Sequence, residues 1–214
     1  MLKRFDLTQP MNTFIIHSTT SADDRPIALH FESSAAMTAN QFFDFCQLNK
    51  DLRIERSSKG EVTVMSPSGF KSGDRESEIN MQLRIWAKQN GNGSVYSSST
   101  GFTLPNGAVR SPDAAWVSYA RSSKITAEQL QKFAPLCPEF VIELKSPSDR
   151  ISELKAKMQE YIANGASMGL LIIAEKKLVY KYMPKKPVQE LKNRKKISCE
   201  PVLPGFELVV EEIW

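Results

Sequence analysis

One run of residues constrains this chain more than any other: positions 138–149, PEFVIELKSPSD. Phe140, Val141, Ile142 and Leu144 predict an apolar β-strand, yet Glu143 and Lys145 put two charges into it. Side chains alternate along a strand, so Val141, Glu143 and Lys145 share one face while Phe140, Ile142 and Leu144 share the other. A carboxylate in such a strand is costly unless it is paired or bound to a metal. The Ser-Pro-Ser break then ends the strand, and Ser148 or Asp149 is placed to cap a helix over about 150–163. That helix carries Ile151, Leu154, Met158, Tyr161 and Ile162 on one stripe and is closed by Asn164-Gly165. With a further apolar strand over 168–174, the segment reads as a right-handed βαβ crossover.

The rest of the chain supplies more strands and two more helices. Thr38 and Gln41 form a capping box ahead of Phe42, Phe43 and Phe45, predicting a helix over about 39–49. Residues 53–56 and 61–65, joined by Ser-Ser-Lys-Gly, have the pattern of a hairpin. Ile79, Leu83, Trp86 and Ala87 make one stripe of an amphipathic helix over 74–89. Short strands follow at 94–98, 101–104 and 114–118, and Thr126 with Gln129 caps a brief helix before Pro135. Residues 168–174 and 177–183 pair, and short strands near 197–203 and 206–210 end the chain. The expected fold class is α/β, a mixed sheet with helices on its flanks. Residues 1–36 are polar and read as an N-terminal extension, with 37–214 as one domain.

Composition narrows the function by exclusion. No apolar stretch approaches the roughly 20 residues that cross a bilayer, and Asp6 and Pro10 interrupt any secretory core. The three cysteines, Cys46, Cys137 and Cys199, are far apart and unpaired in spacing, which predicts a reduced, cytoplasmic protein. The only histidines, His17 and His30, lie in the leader, which argues against histidine-centred catalysis. Trp86 and Trp116 sit at periodic positions and are read as core. Lys155 and Lys157 are read as solvated, the ordinary fate of charges on an amphipathic helix.

The chemistry lies with Glu143, Lys145 and an acid thirty residues earlier. In SPDAAW, Asp113 directly follows a proline at the start of a strand, so two acids and a lysine converge if the two strands are neighbours. Hydrolysis of a phosphodiester uses a divalent cation, and Mg²⁺ takes oxygen ligands, commonly one or two carboxylates. Asp113 and Glu143 supply them, and Lys145 is placed to orient water and stabilise developing negative charge. The competing reading is a structural ion pair between Glu143 and Lys145, with Asp113 capping a turn.

These residues resemble a family. The Pro-Asp strand, PEFVIELKSPSD, a Lys-containing helix ending in Tyr-x-x-x-Gly and the late EPVLPGF are similar to the Uma family of endonucleases, in the PD-(D/E)xK superfamily. The likeness runs from about 37 to 214. It implies a restriction-endonuclease-like fold, Asp113 and Glu143 as metal ligands, Lys145 as the catalytic lysine, and Mg²⁺ as cofactor, with Mn²⁺ able to substitute. An acid on the early helix often completes such sites; Glu78 in DRESEIN matches that place, ahead of Glu76, and Glu55 ranks behind both. The histidine that many members carry near the Pro-Ser-Gly break is missing from SPSGFKSGDRES.

Charge points to the partner. Residues 176–196 hold nine basic residues against Glu190, a local charge of +8, so the remainder of the +4 chain stands at −4. Lys181, Lys185, Lys186, Lys192, Arg194, Lys195 and Lys196 are therefore candidates for contact with nucleic acid, expected to be DNA; a lysine-rich edge that blocks aggregation is the competing explanation. A homodimer is expected by analogy with folds that cut both strands. Two other functions compete with the nuclease: a nuclease-fold protein that binds nucleic acid or acts in assembly without catalysis, and a hydrolase of some other phosphodiester.

Overall fold

Every side chain of Phe140–Leu144 is buried, because elements pack on both faces of this strand. The computed structural model describes residues 37–90 and 92–214, with the backbone alone of Phe14–Ile15 and Ile27–Phe31. In chain order the elements are β1 (Phe14–Ile15), β2 (Ile27–Phe31), α1 (Ala39–Leu48), β3 (Arg53–Arg56), β4 (Val62–Met65), α2 (Phe70–Asn90), β5 (Gly93–Ser97), β6 (Phe102–Thr103), β7 (Val109–Arg110), β8 (Ala114–Ser118), α3 (Tyr119–Ser122), β9 (Phe140–Leu144), α4 (Ile151–Ala163), β10 (Met168–Ile173), β11 (Leu178–Tyr182), β12 (Gln189–Lys192), β13 (Lys196–Ser198) and β14 (Glu207–Val209).

The strands form two six-stranded sheets, β1-β2-β4-β3-β7-β6 and β12-β11-β10-β9-β8-β5, and a β13-β14 hairpin. The fold is mixed α/β with helices on the flanks, as expected, but the strands divide between two sheets. The reason lies in β7, a two-residue strand invisible to sequence pattern, which pairs with β3 and β6 and so draws the early hairpin into its own sheet. The reading of 1–36 as an extension falls mostly outside the described residues, as do the side chains of His17 and His30. Within it, the backbone of β2 pairs antiparallel with β4.

The larger sheet is the core. In β9–α4–β10 the strands are parallel, with Glu143 beside Leu171. On one face, Ile79, Leu83 and Trp86 of α2 and Leu208 of β14 cover Trp116, Phe140, Ile142 and Leu170. On the other, Met158 and Tyr161 of α4 cover Ala115, Val141 and Leu171. Each such apolar side chain stabilises the fold by about 1.5–3 kcal/mol. Gly169 on β10 is where α4 comes closest; a Cβ there would collide with the Met158 methyl. Trp86 and Trp116 are both buried and meet edge to face, as a core pair.

Local signals set most boundaries. The Thr38–Gln41 capping box is present, with Gln41 N donating to Thr38 Oγ1 at 3.3 Å and Thr38 N to Gln41 Oε1 at 2.8 Å. Helix α2 begins at Phe70, four residues before the expected start at 74, because its first turn buries nothing that a sequence pattern could register and Phe70 is exposed. The Thr126–Gln129 box also forms, yet encloses only a 3-10 turn at Gln129–Gln131. Neither Ser148 nor Asp149 caps α4. Asp149 Oδ2 instead accepts the Ser146 N–H at 2.7 Å, closing the turn after β9, and Arg150 takes the cap position without a side-chain bond.

Candidate active site

Strands β8 and β9 are antiparallel neighbours, with Ala114 opposite Ile142. Continued by one residue, that register sets Asp113 opposite Glu143, and alternation puts both carboxylates on the Val141 face, beneath α4. Asp113 Oδ2 accepts the Leu144 N–H at 2.7 Å, and Oδ1 lies 3.3 Å from Arg53 Nη2 of β3. Asn80 of α2 donates to the Asp113 carbonyl at 2.9 Å, tying the helix to the start of the strand.

Glu143 is 3% exposed. Its Oε1 accepts from the Tyr161 hydroxyl and from Lys157 Nζ, both at 2.9 Å. The same ammonium is 2.9 Å from Glu55 Oε1. Glu55 in turn accepts from Ser111 N at 2.9 Å and pairs with Arg110 Nη1 at 3.2 Å, while Arg110 Nε bonds Glu160 at 2.6 Å. The result is a continuous network, buried at Glu55, Glu143 and Tyr161 and half-buried at Glu160, Arg110 and Lys157.

The electrostatics follow from this arrangement. Burial pushes Glu143 up to about 7 against the pull of Lys157, and the nearby Asp113 and Glu55 carboxylates add repulsion. Asp113 is also raised by burial, opposed by the Leu144 N–H, Lys157 and Arg53. Glu55 shares Lys157 with Glu143 yet shifts the other way: burial would raise it, but Lys157, Arg110 and the Ser111 N–H together hold it below the usual carboxylate range. For Lys157, burial favours the neutral amine, and Glu143 and Glu55 overcome that to hold it protonated.

The structure thus brings Asp113 and Glu143 together and places the other two expected residues elsewhere. Lys145, one residue past β9, donates its amine to the Ser146 carbonyl at 2.6 Å and lies within electrostatic reach of Glu175. Among the described residues it bonds neither carboxylate. Glu78 bonds Gln82 at 2.7 Å and interacts with Glu212. The reason is helical spacing. Gln82, four residues on, is claimed by the tail strand through Val209 N and O at 2.8 and 3.1 Å, so the 78/82 row faces β14. The neighbouring row, Glu76 and Asn80, faces Asp113; Glu76 bonds Ser98, and burial followed by the Asp113 charge raises its pKa.

Sequence reasoning missed Lys157, read as solvated but in fact only 13% exposed along its side chain. Spacing alone did not single it out: Lys157, three residues after Leu154 and four before Tyr161, flanks the apolar stripe as a surface lysine also can. Lys155, four residues after Ile151 and three before Met158, meets the same spacing, and its amine rests 3.9 Å from the centre of the Tyr180 ring. Arg53 and Arg110 carried no comparable signal, since their partners come from distant segments.

The basic segment is spread over the sheet. Lys185 and Lys186 lie in the turn beyond Tyr182, which pairs with Gly169 at the far end of the sheet from the carboxylates. Lys192 pairs with Leu178, which is beside Ile173 at the carboxylate end, and Arg194 follows it. Lys192, Lys195 and Lys196 have acidic neighbours in Glu190, Glu211 and Glu207 at 3.5, 3.4 and 3.4 Å, and Lys181 bonds the Ser198 carbonyl.

A divalent cation suits the Asp113–Glu143 pair. The donors are all hard carboxylate oxygens, both acids are held up by burial, Glu143 is raised further by the Asp113 and Glu55 charges, and a cation relieves these effects. Among the described residues no three His, Cys, Asp or Glu side chains converge as a metal cage. A site of one or two carboxylates is what Mg²⁺ accepts, because it keeps several waters.

Comparison with known proteins bears on the fold and the family. A solved structure described as a putative nuclease belonging to DUF820, from Anabaena variabilis ATCC 29413, superposes with a TM-score of 0.68 at 16% identity, covering 83% of this chain and 97% of that one. At that identity the likeness establishes the fold. No curated protein matches the chain. The family model Uma2, described as "Putative restriction endonuclease", matches residues 39–211, from the first residue of α1 to just past β14. On that match over most of its length, the chain belongs to the Uma2 family.

Proposed function

We propose that the protein is a Mg²⁺-dependent endonuclease that hydrolyses phosphodiester bonds of DNA, with Asp113 and Glu143 holding the cation. The observation that carries this reading is the meeting of the buried Glu143 of β9 and the half-buried Asp113 at the start of β8 on one face of the sheet. A bound divalent cation supplies neutralisation of phosphate charge and a lowered pKa for an attacking water. The chain's own groups do the rest. The Leu144 N–H and Arg53 orient Asp113, and Lys157 with Tyr161 orient Glu143. Lys145 is the half-buried amine at the strand's end, and release of the Ser146 carbonyl would let its flexible stem carry it toward a phosphate. Glu76, not Glu78, takes the supporting acidic place. Within the basic segment, Lys192 and Arg194, at the carboxylate end of the sheet, would lie nearest a bound strand. A homodimer would offer two such sites to the two strands of a duplex. No helix among the described residues is long and apolar enough to cross a membrane.

The test is cleavage of plasmid DNA with Mg²⁺ or Mn²⁺ and with EDTA, using the wild type, Asp113→Asn, Glu143→Gln and Lys145→Ala. Loss of a cation ligand removes several kcal/mol of transition-state stabilisation, so each carboxylate variant should lose about a thousandfold in rate. Wild-type rates in both would end the assignment. A second reading is favoured by one observation, the Lys145 amine bonded to Ser146 rather than to the acids: a non-catalytic nucleic-acid binder. It predicts steeply salt-dependent binding that survives Glu143→Gln, with no cleavage under any divalent metal.

A further inference from the structure

Three elements outside the Glu-x-Lys tripeptide meet at Glu143. Lys157 and Tyr161, one helical turn apart on α4, both donate to the same carboxylate oxygen, Oε1, at 2.9 Å. Two donors on one oxygen fix the rotation of the carboxylate about its stem. Among the described residues no donor bonds the other oxygen, Oε2.

The third element is the anchor on the far side of Lys157. Glu55 of β3 takes the ammonium on Oε1 and is itself gripped by the Ser111 N–H and by Arg110. Ser111 lies two residues before Asp113. A short chain of contacts, Ser111 to Glu55 to Lys157 to Glu143, therefore joins the backbone leading into Asp113 to the carboxylate opposite it. That chain sets the spacing between the two acids independently of the strand ladder.

A charge at this position is not what packing alone selects. The Lys157 side chain is 13% exposed and flanks the stripe of Leu154, Met158 and Tyr161, where an apolar residue would avoid the cost of desolvating an ion. Local rules broken at a buried point mark functional positions more often than structural ones.

We propose that Lys157 is a positioning residue of the metal site: braced on Glu55, it clamps Glu143 by Oε1 so that Oε2 is the oxygen presented to the cation. The inference rests on the reading of Asp113 and Glu143 as cation ligands. It makes a prediction that simple electrostatics opposes. Removing a positive charge beside a cation site strengthens cation binding if Coulomb attraction alone decides, whereas losing a clamp weakens it.

The experiment is calorimetric titration of the full chain with Mn²⁺, on the wild type, Lys157→Met, Tyr161→Phe and Glu143→Gln, with circular dichroism in EDTA to confirm folding. Lys157→Met keeps the length of the side chain and loses the charge. Its Mn²⁺ affinity should fall by about 10- to 100-fold, the usual cost of removing a group that orients a ligand. Tyr161→Phe should weaken binding in the same direction by less, and it decides the matter alone should Lys157→Met fail to fold. Wild-type or tighter Mn²⁺ binding in the folded clamp variants, beside lost binding in Glu143→Gln, overturns the clamp and leaves the site standing. Wild-type binding in Glu143→Gln, or none in the wild type, removes the metal site and the clamp with it.

Discussion

Lys157 Nζ stands 2.9 Å from Glu143 Oε1 and 2.9 Å from Glu55 Oε1, so one ammonium on α4 joins a strand of each six-stranded sheet. Both carboxylates are buried and Lys157 is half-buried, and the pairing holds only as a set. Removing one member leaves uncompensated charge in a low-dielectric interior, which costs far more than the pair contributes against an apolar replacement.

The stability of the metal-free protein should reflect this. Lys157→Met is expected to lose about 3–5 kcal/mol in urea denaturation with EDTA present. Glu55→Gln combined with Lys157→Met should cost less than the two single losses added together, since the second change removes a charge that the first stranded. Strict additivity would mean that Glu55 and Lys157 do not interact in solution.

Glu55 should also give the fold an acid limit. Its carboxyl is held below the value of 4.5 that it returns to on unfolding. An acid depressed in the folded state contributes stability that is fully present above about pH 4.5 and is lost as pH falls through the folded value. The stability gap between wild type and Glu55→Gln should therefore narrow as pH falls below about 4.5. A gap that stays flat down to pH 3 would show that Glu55 is not ionically held.

The thiols offer a simple check on the core. Burial pushes Cys137 and Cys199 up to about 12 and the half-buried Cys46 up to about 11. Because the thiolate is the reacting species, none of the three should react with a thiol reagent at pH 8 at the rate of a free cysteine, and all three should do so in urea. Rapid native-state labelling of Cys137 would place the segment before β9 outside the core.

Binding of duplex DNA should depend on which end of the sheet is altered. Lys192→Ala with Arg194→Ala should weaken affinity and reduce the slope of log K against log salt by about 0.9 per lost phosphate contact. Lys185→Ala with Lys186→Ala, in the turn at the opposite end, should leave both unchanged. The reverse result would move the nucleic acid to the far turn.

Much of this molecule was decided by local chemistry. The Thr38–Gln41 box, the Ser57–Gly60 turn and the Asn164-Gly165 stop act over four residues or fewer, and an apolar stripe or an alternating strand needs only its own period. The Pro-Asp and Glu-x-Lys motifs named Asp113 and Glu143 for the same reason, since alternation alone fixed the face that Glu143 shares with Val141. What residues far apart in sequence do to one another was left to the tertiary structure. Glu76 and Glu78 are two positions apart and equal in chemistry; the claim of β14 on Gln82 turned one away and the hold of Asn80 on Asp113 brought the other in. Lys157 looked like any helix-surface lysine until Glu55, 102 residues earlier, met it across two sheets. Burying an ammonium requires carboxylates at hydrogen-bonding distance, and only the packing of β3, β9 and α4 against one another puts them there.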